Sequence, residues 1–230
     1  MNHDGQRQRI RKKFITGSHL EDHEILEIVL FSSIHRCNTN EIAHELLNRF
    51  GSLRGVFDAG FEALQEVEGI GPSSALQLRL ISECITRYSL QVIDTRALLN
   101  RREALEEYLR ALFIGCDHEK AVILFFNNTG RLLTSHTLAE GTVNLLDTST
   151  RELLSLATKL GASAAVLVHN HPDGLSLPSD KDLAATLRIS RALESVSVTL
   201  IDHFIVSSRD CRPILYYREG KYAEKAPDIH

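Results

Sequence analysis

The sequence predicts an α+β fold in two parts, an all-helical N-terminal segment followed by a sheet with helices packed on it. Three observations lead there. From Ile10 to about Leu90 the apolar residues recur at helical spacing and no strand run appears. Further along, apolar runs of strand length alternate with amphipathic stretches of helix length. One of those runs, Ala164 to Val168, passes directly into His169-Asn170-His171-Pro172, which places a candidate site in the second part.

In chain order, Ile25, Leu26, Ile28 and Val29 predict a helix over 24–31, and Ile42, Leu46, Leu47 and Phe50 a second over 41–50. Residues 64–76, LQEVEGIGPSSAL, read as a helix, a Gly-apolar-Gly turn and another helix, with Ser74 and Ala75 small enough for close packing. Glycines permit such a turn, and free amides opening the second helix can receive a phosphate. Gly69, Ile70, Gly71 and Ser73 are therefore candidate nucleic-acid contacts, and a plain helical hairpin is the alternative. The basic flank is thin, since Arg79 is the nearest cation and Glu66 and Glu68 sit beside the turn.

The stretch from Ser89 to Asn100 is more polar and marks a boundary, giving domains 1–95 and 96–230. Asn100 is expected to cap a helix carrying Ala104, Leu105, Tyr108, Leu109 and Leu112. Ala121 to Phe126 then reads as a buried strand, Asn127-Asn128-Thr129-Gly130 as a hairpin turn, and Arg131 to His136 as a second strand. A helix over 149–160 follows, a third strand over 164–168, a helix over 179–193, a strand over 198–206 and a final strand over 214–217.

The chemistry lies in the third strand and the helix after it. Two histidines at i and i+2 on a strand present both imidazoles on one face. A loop containing glycine and proline then reverses the chain, so that Asp182 can bring a carboxylate to the same point. Two His, one carboxylate and an open position describe a catalytic zinc site. Ser179-x-x-Asp182 also has the form of a helix capping box, and the two readings are compatible.

Composition bounds the remaining classes. At 230 residues with 43% hydrophobic content, the chain can bury one sizeable core or two smaller ones without covalent staples. Cys37, Cys84, Cys116 and Cys211 are scattered without a C-x-x-C pair, against a disulfide framework or a cysteine zinc ribbon, and a reducing cytoplasmic setting is expected. No stretch has the run of about 18 apolar residues that a membrane span needs. A net charge of −4 gives no support to strong nonspecific nucleic-acid binding.

Taken together, Glu68-Gly69-Ile70-Gly71-Pro72, Glu119, Gly141-Thr142-Val143-Asn144, His169-Asn170-His171-Pro172 with Ser179-x-x-Asp182, and Leu200-Ile201-Asp202-His203-Phe204-Ile205-Val206 resemble the RadC family over nearly the whole chain. The resemblance implies an N-terminal helix-hairpin-helix domain. It also implies a C-terminal JAB domain of the JAMM (MPN+) metallopeptidase type, a mixed sheet with flanking helices that is cytidine-deaminase-like. It carries over zinc, one ion per chain, on His169, His171 and Asp182, with Glu119 as general base and Ser179 helping to stabilise an oxyanion. A protein or peptide substrate is implied, with cleavage of a peptide or isopeptide bond. DNA is a further partner through the hairpin, and the alternative is a DNA-associated repair or replication accessory whose JAB domain binds partners.

Two departures stand out: Asp173 replaces a small residue after the proline, and Lys120 and Ala121 follow Glu119 where apolar or aromatic residues are usual. The bland reading of Glu119 is a solvated charge in a polar run with Asp117 and His118. His203 could orient a ligand from behind, and a packed histidine on an apolar strand is the favoured reading.

Overall fold

The computed structural model describes residues 3–35, 37–141, 149–172, 174, 176–208, 210–214, 217–218 and 221–222. Asp173 and the Thr142-Val143-Asn144 segment lie outside them. Two compact units divide the chain, Met1–Arg87 with Ile114–Asp117, and Tyr88–Phe113 with His118–His230.

In the first unit α1 (His3–Ile15), α2 (Asp22–Leu30), α3 (Thr39–Phe50), α4 (Leu53–Asp58), α5 (Phe61–Gln65) and α6 (Pro72–Val92) follow one another; α6 runs on past the unit's end. Leu26, Leu30, Ile42, Leu46, Val56, Leu64, Ile70 and Leu78 form its core. Both helices expected from periodicity are present as α2 and α3. Asn38 caps α3 by accepting from the Asn40 N–H, and Gly51 closes it in the left-handed region at φ 79°. The basic helix α1 was not foreseen. Its Ile10 is fully buried, Arg7 donates to the Ile34 carbonyl at 2.6 Å, and Lys13 pairs with Glu24 at 2.6 Å.

The second unit opens with a 3-10 turn (Leu98–Asn100) and α7 (Arg102–Ala111). Here the structure corrects the expected cap. The residue before α7 is Arg101, which makes no side-chain cap bond, and Asn100 donates to the Thr129 carbonyl at 3.2 Å. Asn100 thereby braces the 127–130 turn, where Gly130 has φ +75° and an added Cβ would fall 2.5 Å from Asn100 Oδ1.

The sheet order is β2-β1-β3-β4-β5, with β1 (Lys120–Phe126), β2 (Leu132–Glu140), β3 (Ala164–Asn170), β4 (Thr199–Val206) and β5 (Cys211–Pro213). β3 is central, antiparallel to β1 and parallel to β4. The β3 to β4 crossover is α9 (Asp180–Glu194), and α8 (Thr150–Leu160) precedes β3. Ala121, Ile123, Phe125, Ala165 and Leu167 pack with Leu153 and Ala157 of α8 and Ala185, Ile189 and Leu193 of α9. The opposite faces of β1 and β3 are buried as well, which explains why both strands read as unbroken apolar runs.

The last strand differs from expectation. Cys211–Pro213 pairs antiparallel with β4, and a two-residue hairpin of β6 (Tyr217–Arg218) and β7 (Lys221–Tyr222) follows, in place of one strand over 214–217. Ile214 is buried and donates its N–H to the His203 carbonyl at 2.6 Å. No described helix is long and apolar enough to cross a membrane.

Candidate metal centre

The end of β3 and the start of α9 meet because a parallel crossover returns the chain over the carboxyl end of the strand it has just left. His169 and His171 project to one side of β3 by its period of two, and their Nε2 atoms lie 2.9 Å apart. Asp182 Oδ1 lies 3.4 Å from His169 Nε2. One ligand atom from each of the three falls within 4.8 Å of the others, the arrangement the sequence anticipated. His169 is buried, and His171 and Asp182 are half-buried, so the cluster sits at the surface end of the core.

Asp182 fills the capping role suggested for it and has an oxygen near the histidines. Its Oδ2 accepts from Ser179 N–H at 2.8 Å and Ser179 Oγ–H at 2.6 Å, while its own N–H donates to Ser179 Oγ at 3.2 Å. That is a complete capping box. It immobilises the carboxylate through one oxygen and leaves Oδ1 directed at the histidines. Ser179 is placed beside the cluster, with its hydroxyl proton committed to Asp182.

Behind His169 stands His203. The register Leu167↔His203 and His169↔Ile205 puts both imidazoles on the same sheet face as diagonal neighbours. His169 Nδ1 lies 2.8 Å from His203 Nε2, and His203 Nδ1 lies 2.7 Å from Thr186 Oγ1. His203 is thus more than a packed core residue. Burial holds the His169 pKa down to about 4, against the opposing charge of Asp182 and with a smaller push from His171. Burial, then the neighbouring imidazoles, also places His203 well below the usual histidine value. Both rings are neutral at pH 7, the form in which imidazole ligates a metal.

Glu119 precedes β1, and its peptide neighbourhood is pinned by Asn170, the residue between the two histidines. Asn170 Oδ1 accepts from Lys120 N–H at 2.7 Å, and Asn170 Nδ2 donates to the His118 carbonyl at 2.9 Å. The Glu119 carbonyl accepts from Gly141 N–H at 2.9 Å. The antiparallel ladder of β1 with β3 ends at Ala121 opposite His169, which leaves Glu119 two residues beyond its end, between the two peptides that the Asn170 amide bridges. Glu140 pairs instead with His118 at 3.0 Å and Lys120 at 3.8 Å.

Sequence reasoning missed Asn170 and Thr186. Thr186 was detectable in principle, since it lies one helical turn beyond Asp182 and shares its face.

His169 Nε2 and His171 Nε2 at 2.9 Å are within hydrogen-bond distance, so in the ion-free chain one neutral ring donates to the other according to its tautomer, with the Asp182 carboxylate oxygen at 3.4 Å beside them. Tetrahedral zinc with bonds of about 2.0–2.2 Å sets its ligand atoms about 3.3–3.6 Å apart. The 3.4 Å spacing falls in that range and the 2.9 Å spacing is shorter, and the N/O donor set suits zinc.

The hairpin residues are in another place. Gly69 lies in the left-handed region at φ +88°, where an added Cβ would fall 2.6 Å from Ile42 Cδ1, whereas nothing lies within 4 Å of a Cβ on Gly71. Only Gly69 is required by the turn. Ile70 is buried in the helical core, and Gly69, Gly71 and Ser73 are exposed. A cleft of about 640 Å³ beside Gly69 is lined by Glu41, Glu45, Glu66 and Glu68 as well as Arg49, which pairs with Glu66. That lining disfavours a phosphate backbone.

The RadC-like JAB domain model matches residues 99–215, and the UPF0758 N-terminal model matches residues 5–76. A UPF0758 protein of Ruegeria pomeroyi is 34% identical over 202 residues, spanning 87% of this chain and 90% of that protein. With His169, His171 and Asp182 falling inside the first match, the chain belongs to the UPF0758 family and carries a RadC-like JAB domain.

Proposed function

We propose that the chain is a zinc-dependent hydrolase that cleaves a peptide or isopeptide bond. The observation that carries this reading is the convergence of His169 Nε2, His171 Nε2 and Asp182 Oδ1 on one point, with a neutral imidazole and a pre-oriented carboxylate. Zinc held there would supply a Lewis acid for a carbonyl and lower the pKa of water from about 16 toward about 7.

The protein's own groups do the rest. Glu119, anchored on both sides by Asn170, accepts the proton of the attacking water and returns it to the leaving amine. Ser179 orients Asp182 in the resting arrangement; rotation about its χ1 turns its O–H toward the oxyanion developing on the substrate carbonyl. Leu167, on the same strand face as His169, and Ala121, which pairs with His169, are fully buried and close the inner side of the cluster to bulk water. The reading as a DNA-associated accessory rests on Gly69, Ile70, Gly71 and Ser73, and the carboxylates beside that hairpin lend it no support.

The test is a proteome-derived peptide library incubated with the zinc-loaded chain, new N-termini being read by mass spectrometry. Cleavages are expected with wild type and lost in Glu119→Gln at equal metal content. Undiminished cleavage by Glu119→Gln removes Glu119 from the mechanism. Wild type no more active than Asp182→Ala removes the hydrolase reading.

A further inference from the structure

The hydrogen bonds behind the centre determine where the protons sit. Thr186 Oγ1 lies 2.6 Å from the Asp182 carbonyl oxygen and 2.7 Å from His203 Nδ1. A carbonyl only accepts, and a hydroxyl has a single proton, so Thr186 donates to Asp182 O and accepts from His203 Nδ1–H. The reverse polarity would set two oxygens lone pair to lone pair at 2.6 Å. A fully buried imidazole between a hydroxyl and another imidazole carries one N–H, because a second would bury an unpaired charge. His203 Nε2 is therefore the acceptor, and His169 Nδ1–H is the donor to it at 2.8 Å. That leaves the lone pair of His169 on Nε2, the atom facing His171 and Asp182.

We propose that Thr186 and His203 form a relay that sets the tautomer of His169, holding it as the Nδ1–H form so that Nε2 is presented to a divalent cation. The inference rests on the metal-centre reading and deepens it. The relay starts at the backbone carbonyl of Asp182, itself a ligand, and returns to the first histidine, so one turn of α9 ties the carboxylate and the imidazole to a single geometry. Thr186 and His203 are positioning residues, and neither needs to touch a substrate.

Two measurements test it in the full chain. In ion-free protein labelled with 15N-histidine, long-range 1H–15N spectra should show His169 and His203 both as Nδ1–H tautomers. Thr186→Val, of matching shape without the hydroxyl, should lose that signature, and Thr186→Ser should keep it. In cobalt(II) titrations Thr186→Val should bind about 10- to 100-fold more weakly than wild type, with Thr186→Ser close to wild type. Where Thr186→Val does not fold, His203→Gln replaces it. Its amide oxygen can accept from His169 and its NH2 can donate to Thr186, so it should bind cobalt where His203→Leu does not. Equal cobalt affinity and an unchanged tautomer in Thr186→Val overturn the relay and leave the metal centre standing. Wild type that takes up no cobalt overturns the cation reading, a failure distinguished by the spectra of the ion-free chain.

Discussion

Replacing Ser179 with alanine separates the two roles of the α9 capping box. The substitution removes the hydroxyl that accepts from Asp182 N–H at 3.2 Å and donates to Asp182 Oδ2 at 2.6 Å, and retains the Ser179 N–H that donates to the same oxygen at 2.8 Å. Losing the cap should lower the stability of the ion-free chain by about 1 kcal/mol. With half of its fixed partners gone, Asp182 can swing about χ1, and Oδ1 no longer waits beside His169. Loss of such outer support typically weakens metal affinity about 10- to 100-fold, or about 1.4 to 2.7 kcal/mol. Urea denaturation of the ion-free chain and cobalt(II) titration of the folded chain measure the two effects. A stability loss with unchanged affinity would refute the argument, since the hydroxyl would then cap the helix and do nothing for the ligand.

Two further outcomes follow from buried groups. Lys13 holds the Glu24 carboxyl below its ordinary value of 4.5, and Glu24 is almost wholly buried, so Lys13→Met should destabilise the helical unit by about 1–2 kcal/mol at pH 7. Because a depressed carboxylate pKa gives stability that is present above the unfolded value and lost as pH falls through the folded one, the gap between wild type and variant should close below about pH 4.5 in denaturation curves, and a gap that persists there contradicts the pairing. Burial pushes the Cys211 thiol up to about 12 while Cys37 and Cys84 are exposed, so maleimide labelling of the native chain should mark Cys37 and Cys84 and spare Cys211.

The clustering of His169, His171 and Asp182 was legible because local rules fix it. A strand's period of two aligns His169 with His171, and a capping box must stand where α9 begins, so the sequence order alone brings Asp182 back to the strand end. Features settled by distant partners were not legible. Nothing in the polar, basic run of α1 announces a helix; Ile10 in the core and the bonds from Arg7 and Lys13 hold it there. Asn100 has the chemistry of a cap, yet the turn at Gly130 takes its amide. The stretch 214–217 reads as the closing strand, but β4 pairs with Cys211-Arg212-Pro213, a short edge where a proline is tolerated. His203 looked like a core residue because its sequence neighbours are apolar, and only the parallel register of β3 and β4 reveals that it meets His169.

The central claim is that His169, His171 and Asp182 together hold one divalent ion, and elemental analysis of chain purified without chelators and dialysed against zinc measures it directly. About one zinc per chain is expected for wild type and almost none for His169→Ala, His171→Ala or Asp182→Ala. Wild type as empty as the three variants, or variants as loaded as wild type, would contradict it.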